Sequence, residues 1–198
     1  MNLKSTLAAA LLATSAAGSA IAADAIPYPT PGAPNPVTYT FTAASTGKID
    51  AYFMGSTAGY DNVLGALING TASPVTGLDD HTSAVGDKIS FDVTAGDVLT
   101  FYIYVYDLGH AWYSNPALNS DGVNHVYSTA YSGGTTGVPV GTYVAFEDLT
   151  GGGDLNYFDE TFVFTNVATT PSVPEPGNVA LLLAGLGLMG VVARRRNV

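Results

Sequence analysis

Residues 97–107, DVLTFYIYVYD, alternate large apolar side chains with threonine and tyrosine over most of the stretch. Successive side chains on a β-strand point to opposite faces of a sheet, so residues two apart share a face. One face therefore carries Leu99, Phe101, Ile103 and Val105, and the other carries Thr100, Tyr102, Tyr104 and Tyr106. An α-helix would scatter both sets around its axis. The pattern predicts a strand with one face in a hydrophobic core.

Shorter segments of the same kind recur along the chain, separated by clusters of Gly, Asn, Asp and Pro. They cover residues 37–42, 49–53, 62–69, 88–94, 111–113, 124–128, 141–147 and 161–167. The first two flank a Ser-Thr-Gly turn and are predicted to form a hairpin. No internal segment has a convincing helical period. About nine short strands with turn signals between them favour an antiparallel β-sandwich of jelly-roll type.

The N-terminus has the layout of an export signal. Lys4 supplies a positive charge, residues 7–17 are apolar, and Ala20-Ile21-Ala22 is a small-residue cleavage site. This order predicts a helical secretory signal peptide over residues 1–22, removed by signal peptidase. The alternative is an ordinary alanine-rich helix.

Two further segments are predicted to lie outside the folded domain. Residues 23–36 contain five prolines, which favour an extended linker. The polar stretch 168–172 is predicted to be a second linker, which leads into the C-terminal segment 169–198. The remaining residues, 37–168, are long enough to form one domain with its own core.

Charge and cysteine content exclude several classes of function. All 16 acidic residues lie between Asp24 and Glu175, where Lys48 and Lys88 are the only bases. Nucleic acid and anionic lipid both need a basic surface, so neither is an expected partner. Such a surface is suited to binding cations. The alternative is that the acidic residues only keep an exported protein soluble. The chain has no cysteine, which excludes disulfides, thiolate metal sites and a cysteine nucleophile.

Residues 179–193 form an uncharged apolar run followed by Arg194, Arg195 and Arg196. As a helix the run would span about 22 Å, short of the roughly 30 Å hydrocarbon core of a bilayer. The arginines would remain on the cytoplasmic side. A hydrophobic helix that inserts transiently into the inner membrane fits this geometry better than a piece of the core.

The order of Val173-Pro174-Glu175-Pro176, an apolar run and Arg194-Arg195-Arg196 resembles the PEP-CTERM sorting signal. The resemblance implies a Gram-negative bacterium with an exopolysaccharide system. It also implies that an exosortase recognises Pro174-Glu175-Pro176 and that cleavage nearby frees or re-attaches the domain at the cell surface or in the extracellular matrix. The alternative is a plain C-terminal anchor.

Residues 144–162 carry five carboxylates and no base, around a Gly-Gly-Gly turn. Glycines permit a tight loop that brings the carboxylates together, and calcium is the ion that such a cluster is expected to bind outside a cell. The candidate calcium ligands are Glu147, Asp148, Asp154, Asn156, Asp159 and, upstream, Asp121. The alternative is a solvated hairpin whose carboxylates cap backbone N–H groups.

The same segment resembles domain-of-unknown-function family 4114, over roughly residues 85–167. The shared residues are Phe146-Glu147-Asp148, Gly152-Gly153-Asp154, Tyr157 and Asp159, with residues 119–125 upstream. Asn156 and Phe158 replace an Asp and an Asn of the family pattern, which removes one charge and one potential ligand. The resemblance implies an all-β extracellular module and no reaction.

The residues offer no catalytic constellation. The three histidines occur without a recognised nucleophile or zinc motif, and the adjacent acid pairs would point to opposite faces of a strand. Tyr102, Tyr104 and Trp112 are candidates for stacking on a sugar, although tyrosine is also simply a good strand former. The expected function is that of an exported, non-enzymatic surface or matrix protein associated with exopolysaccharide or biofilm. The alternative is a calcium-dependent carbohydrate- or matrix-binding module, and a secreted hydrolase is the least favoured.

Overall fold

The computed structural model describes residues 24–134 and 137–172. The helices expected at 1–22 and 179–193 lie outside these residues. The strands are β1 Thr38–Ala43, β2 Gly47–Ser56, β3 Asn62–Ile68, β4 Thr71–Ala72, β5 Lys88–Val93, β6 Val98–Val105, β7 His110–Tyr113, β8 Val126–Tyr131, β9 Gly141–Phe146, β10 Glu160–Phe164 and β11 Val167–Ser172. Short 3₁₀ turns cover Pro116–Leu118 and Thr150–Gly152. Across the described ranges, no helix has the length and apolar character needed to cross a bilayer.

The strands form two antiparallel sheets. The first has the order β11-β1-β6-β3-β4, with β7 also paired to β6, and the second has the order β5-β2-β10-β9-β8. Each pairing between these strands is antiparallel. The predicted all-β antiparallel sandwich is therefore confirmed.

The main core lies between the sheets. Strand β6 buries alternate residues, as its sequence predicts, and its Phe101 ring stacks on Phe164 of β10 with centroids 3.9 Å apart. The largest fully buried aromatic side chains of this cluster are Phe41, Phe91, Phe101, Trp112, Phe146, Phe162 and Phe164. Aromatic rings contribute large buried areas, so they dominate the packing between the sheets.

The second sheet is buried on its outer face as well. Residues 24–36 pack there, with Tyr28 edge-on to Tyr157 at 4.7 Å. The Asn35 backbone N–H donates to the Tyr157 hydroxyl at 2.8 Å, and its side chain donates to the Val126 carbonyl at 2.9 Å. As predicted for a Pro-rich linker, residues 24–36 contain no strand or helix. The expectation that the fold begins only after them is corrected, because Ile26, Tyr28 and Asn35 attach this segment to the second sheet.

The predicted hairpin of residues 37–42 and 49–53 is wrong. Strand β1 lies between β11 and β6 in the first sheet, whereas β2 lies between β5 and β10 in the second. The turn is a corner between the sheets, held by Asn166, whose side-chain oxygen accepts from the Ser45 N–H at 2.9 Å. Both strands bury apolar residues in the same core, but from opposite sheets. A local turn signal does not indicate whether the two strands that it joins pair with each other.

The predicted linker at 168–172 is also corrected, because these residues belong to β11. They pair with β1 in a register that runs from Thr38↔Ser172 to Ala43↔Val167. Strand β11 is at the edge of its sheet and mostly exposed, so polar side chains and Pro171 are tolerated there. The domain therefore extends to Ser172.

Candidate functional site

One end of the sandwich is rich in buried carboxyl groups. Here the β9–β10 loop meets the start of β3 and the β4–β5 loop, and this region is called the acidic end below. Its buried acidic side chains are Asp80, Glu147, Asp148 and Glu160. Both lysines of the described chain lie elsewhere, since Lys48 pairs with Asp92 and Lys88 pairs with Asp50. Asp80 has the imidazole of His81 at 3.2 Å, whereas Glu160 has no such partner, and a buried carboxylate without one is costly.

The calcium ligands predicted in the β9–β10 loop mostly hold backbone N–H groups. Asp121 accepts from the N–H of Gly151 at 2.8 Å and of Val123 at 2.9 Å. Asp154 accepts from the Asn156 N–H at 3.1 Å, and Asp159 accepts from the Asp148 N–H at 3.0 Å. These contacts match the alternative in which the carboxylates cap the backbone of a hairpin.

A different group of acidic residues comes together in the described structure. Asp61, Asp79, Asp80 and His81 each offer a ligand atom, and these atoms all lie within 4.8 Å of one another. In the described ranges this is the one such group, and none of the six predicted calcium ligands belongs to it. No local sequence pattern indicates this group, because Asp61 is distant along the chain from Asp79, Asp80 and His81, which lie together in one loop.

Glu147 is the most deeply buried carboxyl group among the predicted calcium ligands. The side chain is 1% exposed; Oε1 accepts from the Tyr157 N–H and Oε2 has no hydrogen-bond partner. A Cβ at Gly153 would stand 2.8 Å from Oε2, so only glycine fits there. Burial raises the pKa of Glu147 to about 8, and the charges of Asp159 and Asp154 add to the increase.

Trp112 lies in the core and stacks on a histidine. It is 0% exposed, and its Nε1–H donates to the Asp148 carbonyl at 2.6 Å. Its ring is parallel to that of His125, with centroids 4.0 Å apart. Ligand stacking by Trp112, as predicted, would require the ring to leave this position, because its faces are packed inside the protein.

His125 is fully buried, and both ring nitrogens face oxygen atoms. Nδ1 is 2.9 Å from the Glu147 carbonyl and Nε2 is 3.0 Å from the Asp121 carboxylate. Burial raises the pKa of Asp121, but hydrogen bonds from Gly151, Val123 and His125 outweigh it, so the net shift is downward. The His125 ring therefore joins the β7–β8 loop, which carries Asp121, to the β9–β10 loop.

Tyr102 and Tyr104 occupy the outer face of β6, as predicted. Tyr102 lies over Gly65 of β3, where an added Cβ would approach the ring to 2.2 Å. Tyr113 lies 5.4 Å from the Tyr102 ring, and Tyr106, 55% exposed, lies 5.3 Å from the Tyr104 ring. These four tyrosines, called the tyrosine face below, form a half-exposed aromatic surface.

A cleft of about 400 Å³ lies where the two sheets approach each other at β11 and β9. Its lining residues are Tyr39, Ser128, Thr129, Ala130, Gly141, Thr142, Thr169 and Pro171. These residues supply hydroxyl and apolar groups but no carboxylate or imidazole. The cleft is therefore chemically separate from the acidic end.

Comparison with known proteins identifies the C-terminal segment. A family model described as the PEP-CTERM protein-sorting motif matches residues 172–196. No curated protein and no solved structure matches the chain. The predicted PEP-CTERM resemblance is confirmed, and residues 173–176 and 194–196 lie within the matched segment. The roles assigned to these individual residues stay predictions. The motif indicates an extracellular protein that an exosortase sorts to the surface of a Gram-negative bacterium. The resemblance of residues 85–167 to family 4114 stays a prediction.

Proposed function

We propose that this chain is a non-enzymatic structural protein of the cell surface or extracellular matrix, associated with exopolysaccharide. The observation that carries the proposal is the junction between the domain and its signal. Strand β11 runs to Ser172, the last described residue, and the motif match begins at the same position. Cleavage after residue 176 would leave every described strand in place. Transient insertion of residues 179–193 into the inner membrane would hold the domain outside until then.

The positions of the histidines support a non-enzymatic role. His125 is buried with both nitrogens engaged, and His110 packs edge-on against Trp112 at 4.4 Å. His81 lies among carboxylates, with Nδ1 3.2 Å from Asp80. In the described part of the chain, no hydrogen bond joins any of these rings to a serine or threonine hydroxyl. A nucleophile activated by histidine would need such a contact.

The sorting step has a direct test in a host that carries the exosortase. We expect the mature protein to lack residues 177–198 in its intact mass. The double variant Glu175→Ala/Pro176→Ala should keep the tail and accumulate in the inner-membrane fraction, because the exosortase loses its recognition motif. Pro34→Ala, at an exposed proline outside the motif, is the control and should be processed normally. A wild-type protein that retains the tail would contradict removal and indicate a permanent anchor.

Calcium-dependent carbohydrate binding is the second candidate function. The tyrosine face favours it, because half-exposed rings on a rigid sheet can stack on the apolar face of a sugar. Tyr102, Tyr104 and Tyr113 lie on β6 and β7, and Tyr106 follows β6 directly. Gly65 leaves room for Tyr102 to lie against β3. An ion at the acidic end would supply the calcium dependence.

The tyrosine face is tested by binding of the exported protein to a panel of bacterial exopolysaccharides. We expect Tyr102→Ala/Tyr104→Ala to weaken binding about tenfold or more, since truncated aromatic anchors commonly cost about 2 kcal/mol. Val98→Ala is the matched control, because Val98 is exposed on the same strand. Binding unchanged by the tyrosine substitutions would remove the tyrosine face from the function, and melting curves verify that each variant is folded.

A further inference from the structure

Glu160 is a buried acid whose carboxylate has no partner in the described structure. It is 0% exposed, and neither Oε1 nor Oε2 has a hydrogen-bond partner. Glu160 begins β10 and lies two residues before Phe162, which packs in the main core. Alternate residues of a strand share a face, so the Glu160 side chain points between the two sheets. An unpaired buried carboxylate requires a compensating group.

The group formed by Asp61, Asp79 and Asp80 is connected to the start of β10 through Ser56. Ser56 of β2 is the register partner of Glu160, and its Oγ lies 3.2 Å from Oδ2 of Asp80. Both acids beside Ser56 are buried, since the Asp80 side chain is 2% exposed and Glu160 is 0% exposed. Asp80 belongs to the group whose ligand atoms lie within 4.8 Å of one another.

The loop that carries Asp79 and Asp80 is fixed to β3 by backbone contacts. Leu64 and Gly77 exchange two hydrogen bonds of 3.0 Å, and the Asp80 N–H donates to the Asn62 carbonyl at 3.2 Å. The Asn62 N–H donates in return to Asp80 Oδ1 at 2.8 Å. The side-chain Oδ1 of Asn62 and Oδ1 of Asp61 are buried without a hydrogen-bond partner. Asn62 Oδ1 of the first sheet and the Glu160 carboxylate of the second are therefore both without a hydrogen-bond partner, while Asp61 Oδ1 lies 3.8 Å from His81 Nδ1.

We propose that a calcium ion binds between the two sheets at this end of the sandwich, at a site separate from the β9–β10 loop. Its oxygen ligands are, in chain order, Asp61, Asn62, Asp79, Asp80 and Glu160. Calcium takes six to eight oxygen ligands from carboxylates, amide carbonyls and water, which matches this donor set. His81 is exposed at the rim and is not needed as a ligand. The ion would join β3 and the β4–β5 loop to β10, across the sheets.

The test is a calorimetric titration of the exported protein with Ca²⁺ alone, after treatment with a chelator. We expect one ion per chain with a Kd of about 10⁻⁴–10⁻³ M, the range of extracellular modules. The melting temperature should rise with calcium concentration, because only the folded state binds the ion. The double variant Asp61→Asn/Asp79→Asn should weaken binding about tenfold or more through the loss of two charged ligands.

Glu160→Gln separates a ligand from a merely structural acid. The substitution keeps the shape and removes the charge, so we expect the calcium response to be lost while the calcium-free protein melts at a higher temperature. Asp154→Asn in the β9–β10 loop and Asp92→Asn on the surface are controls that should bind calcium normally. His81→Ala should also retain calcium binding.

Four results would overturn the site. The first is an absence of calcium binding at about 10 mM, tenfold above the expected range. The second is calcium binding that survives Glu160→Gln, and the third is a loss of binding in Asp154→Asn alone. The fourth is zinc binding that needs His81 while calcium has no effect. The site rests on the second candidate function, calcium-dependent carbohydrate binding, and adds the position of the ion. A failure of the site can be distinguished from a failure of the proposed function. The mass of the mature protein and the tyrosine variants test sorting and carbohydrate binding with the acidic residues unchanged.

Discussion

Replacing Trp112 with alanine should lower the free energy of unfolding by about 3–5 kcal/mol, the usual cost of truncating a large buried aromatic side chain. That loss is a large part of the roughly 5–15 kcal/mol that stabilises a typical domain. Trp112 connects the main core to the acidic end, since its ring stacks on His125 and its indole N–H holds the Asp148 carbonyl. Urea unfolding followed by circular dichroism measures the change, because the variant lacks the only tryptophan of the chain.

Two further variants separate the contributions of Trp112. Trp112→Phe keeps an aromatic ring but leaves the Asp148 carbonyl without its donor, which should cost about 1–3 kcal/mol. Tyr106→Ala, at an exposed ring of the tyrosine face, should change stability by about 0.5 kcal/mol or less. An equally small loss in Trp112→Ala would contradict a core position and return Trp112 to the candidates for ligand stacking.

The calcium-free protein should lose stability relative to Glu147→Gln as pH rises from about 4.5 to about 8. Burial raises the pKa of Glu147 to about 8 in the folded protein, from its ordinary value of 4.5. The folded state therefore binds a proton that the unfolded state releases. This contribution is fully present below the unfolded pKa and is lost as pH rises through the folded pKa. The expected change is on the order of 3–5 kcal/mol.

The measurement compares the free energies of unfolding of wild type and Glu147→Gln in chelator across this pH range. The difference between the two proteins isolates Glu147, because their other titrating groups are the same. We expect similar stabilities at the acid end of the range and a more stable variant at the alkaline end. Asp92→Asn, at an exposed acid paired with Lys48, should run parallel to wild type. Parallel curves for Glu147→Gln would show that the carboxyl group is not perturbed by burial.

Most strands could be predicted because their alternation records which face meets the core. Strand β6 buries the four residues that its sequence places on one face, and β5 was predicted to within one residue. Strand β11 was missed because it is an exposed edge strand of polar residues. Its hydrogen bonds are made with the backbone of β1, and the pattern of side chains in the sequence does not indicate such bonds.

The candidate site was only partly predictable. The sequence placed carboxylates in the β9–β10 loop, and they are there, but backbone N–H groups satisfy several of them. The group at Asp61, Asp79 and Asp80 joins residues from two connections, and Ser56 links Asp80 to Glu160 of the other sheet. Such a site depends on strand order, which no local pattern specifies.

The sequence by itself determined the sorting of this protein and its class of fold. The sorting motif is read as a linear segment by another protein, and strand alternation is a local property, so both are visible without a structure. Only the tertiary structure decided that residues 24–36 cover the second sheet, that Trp112 lies inside and that acids from both sheets converge. These outcomes depend on which distant segments share a core, because burial is settled by the whole chain at once.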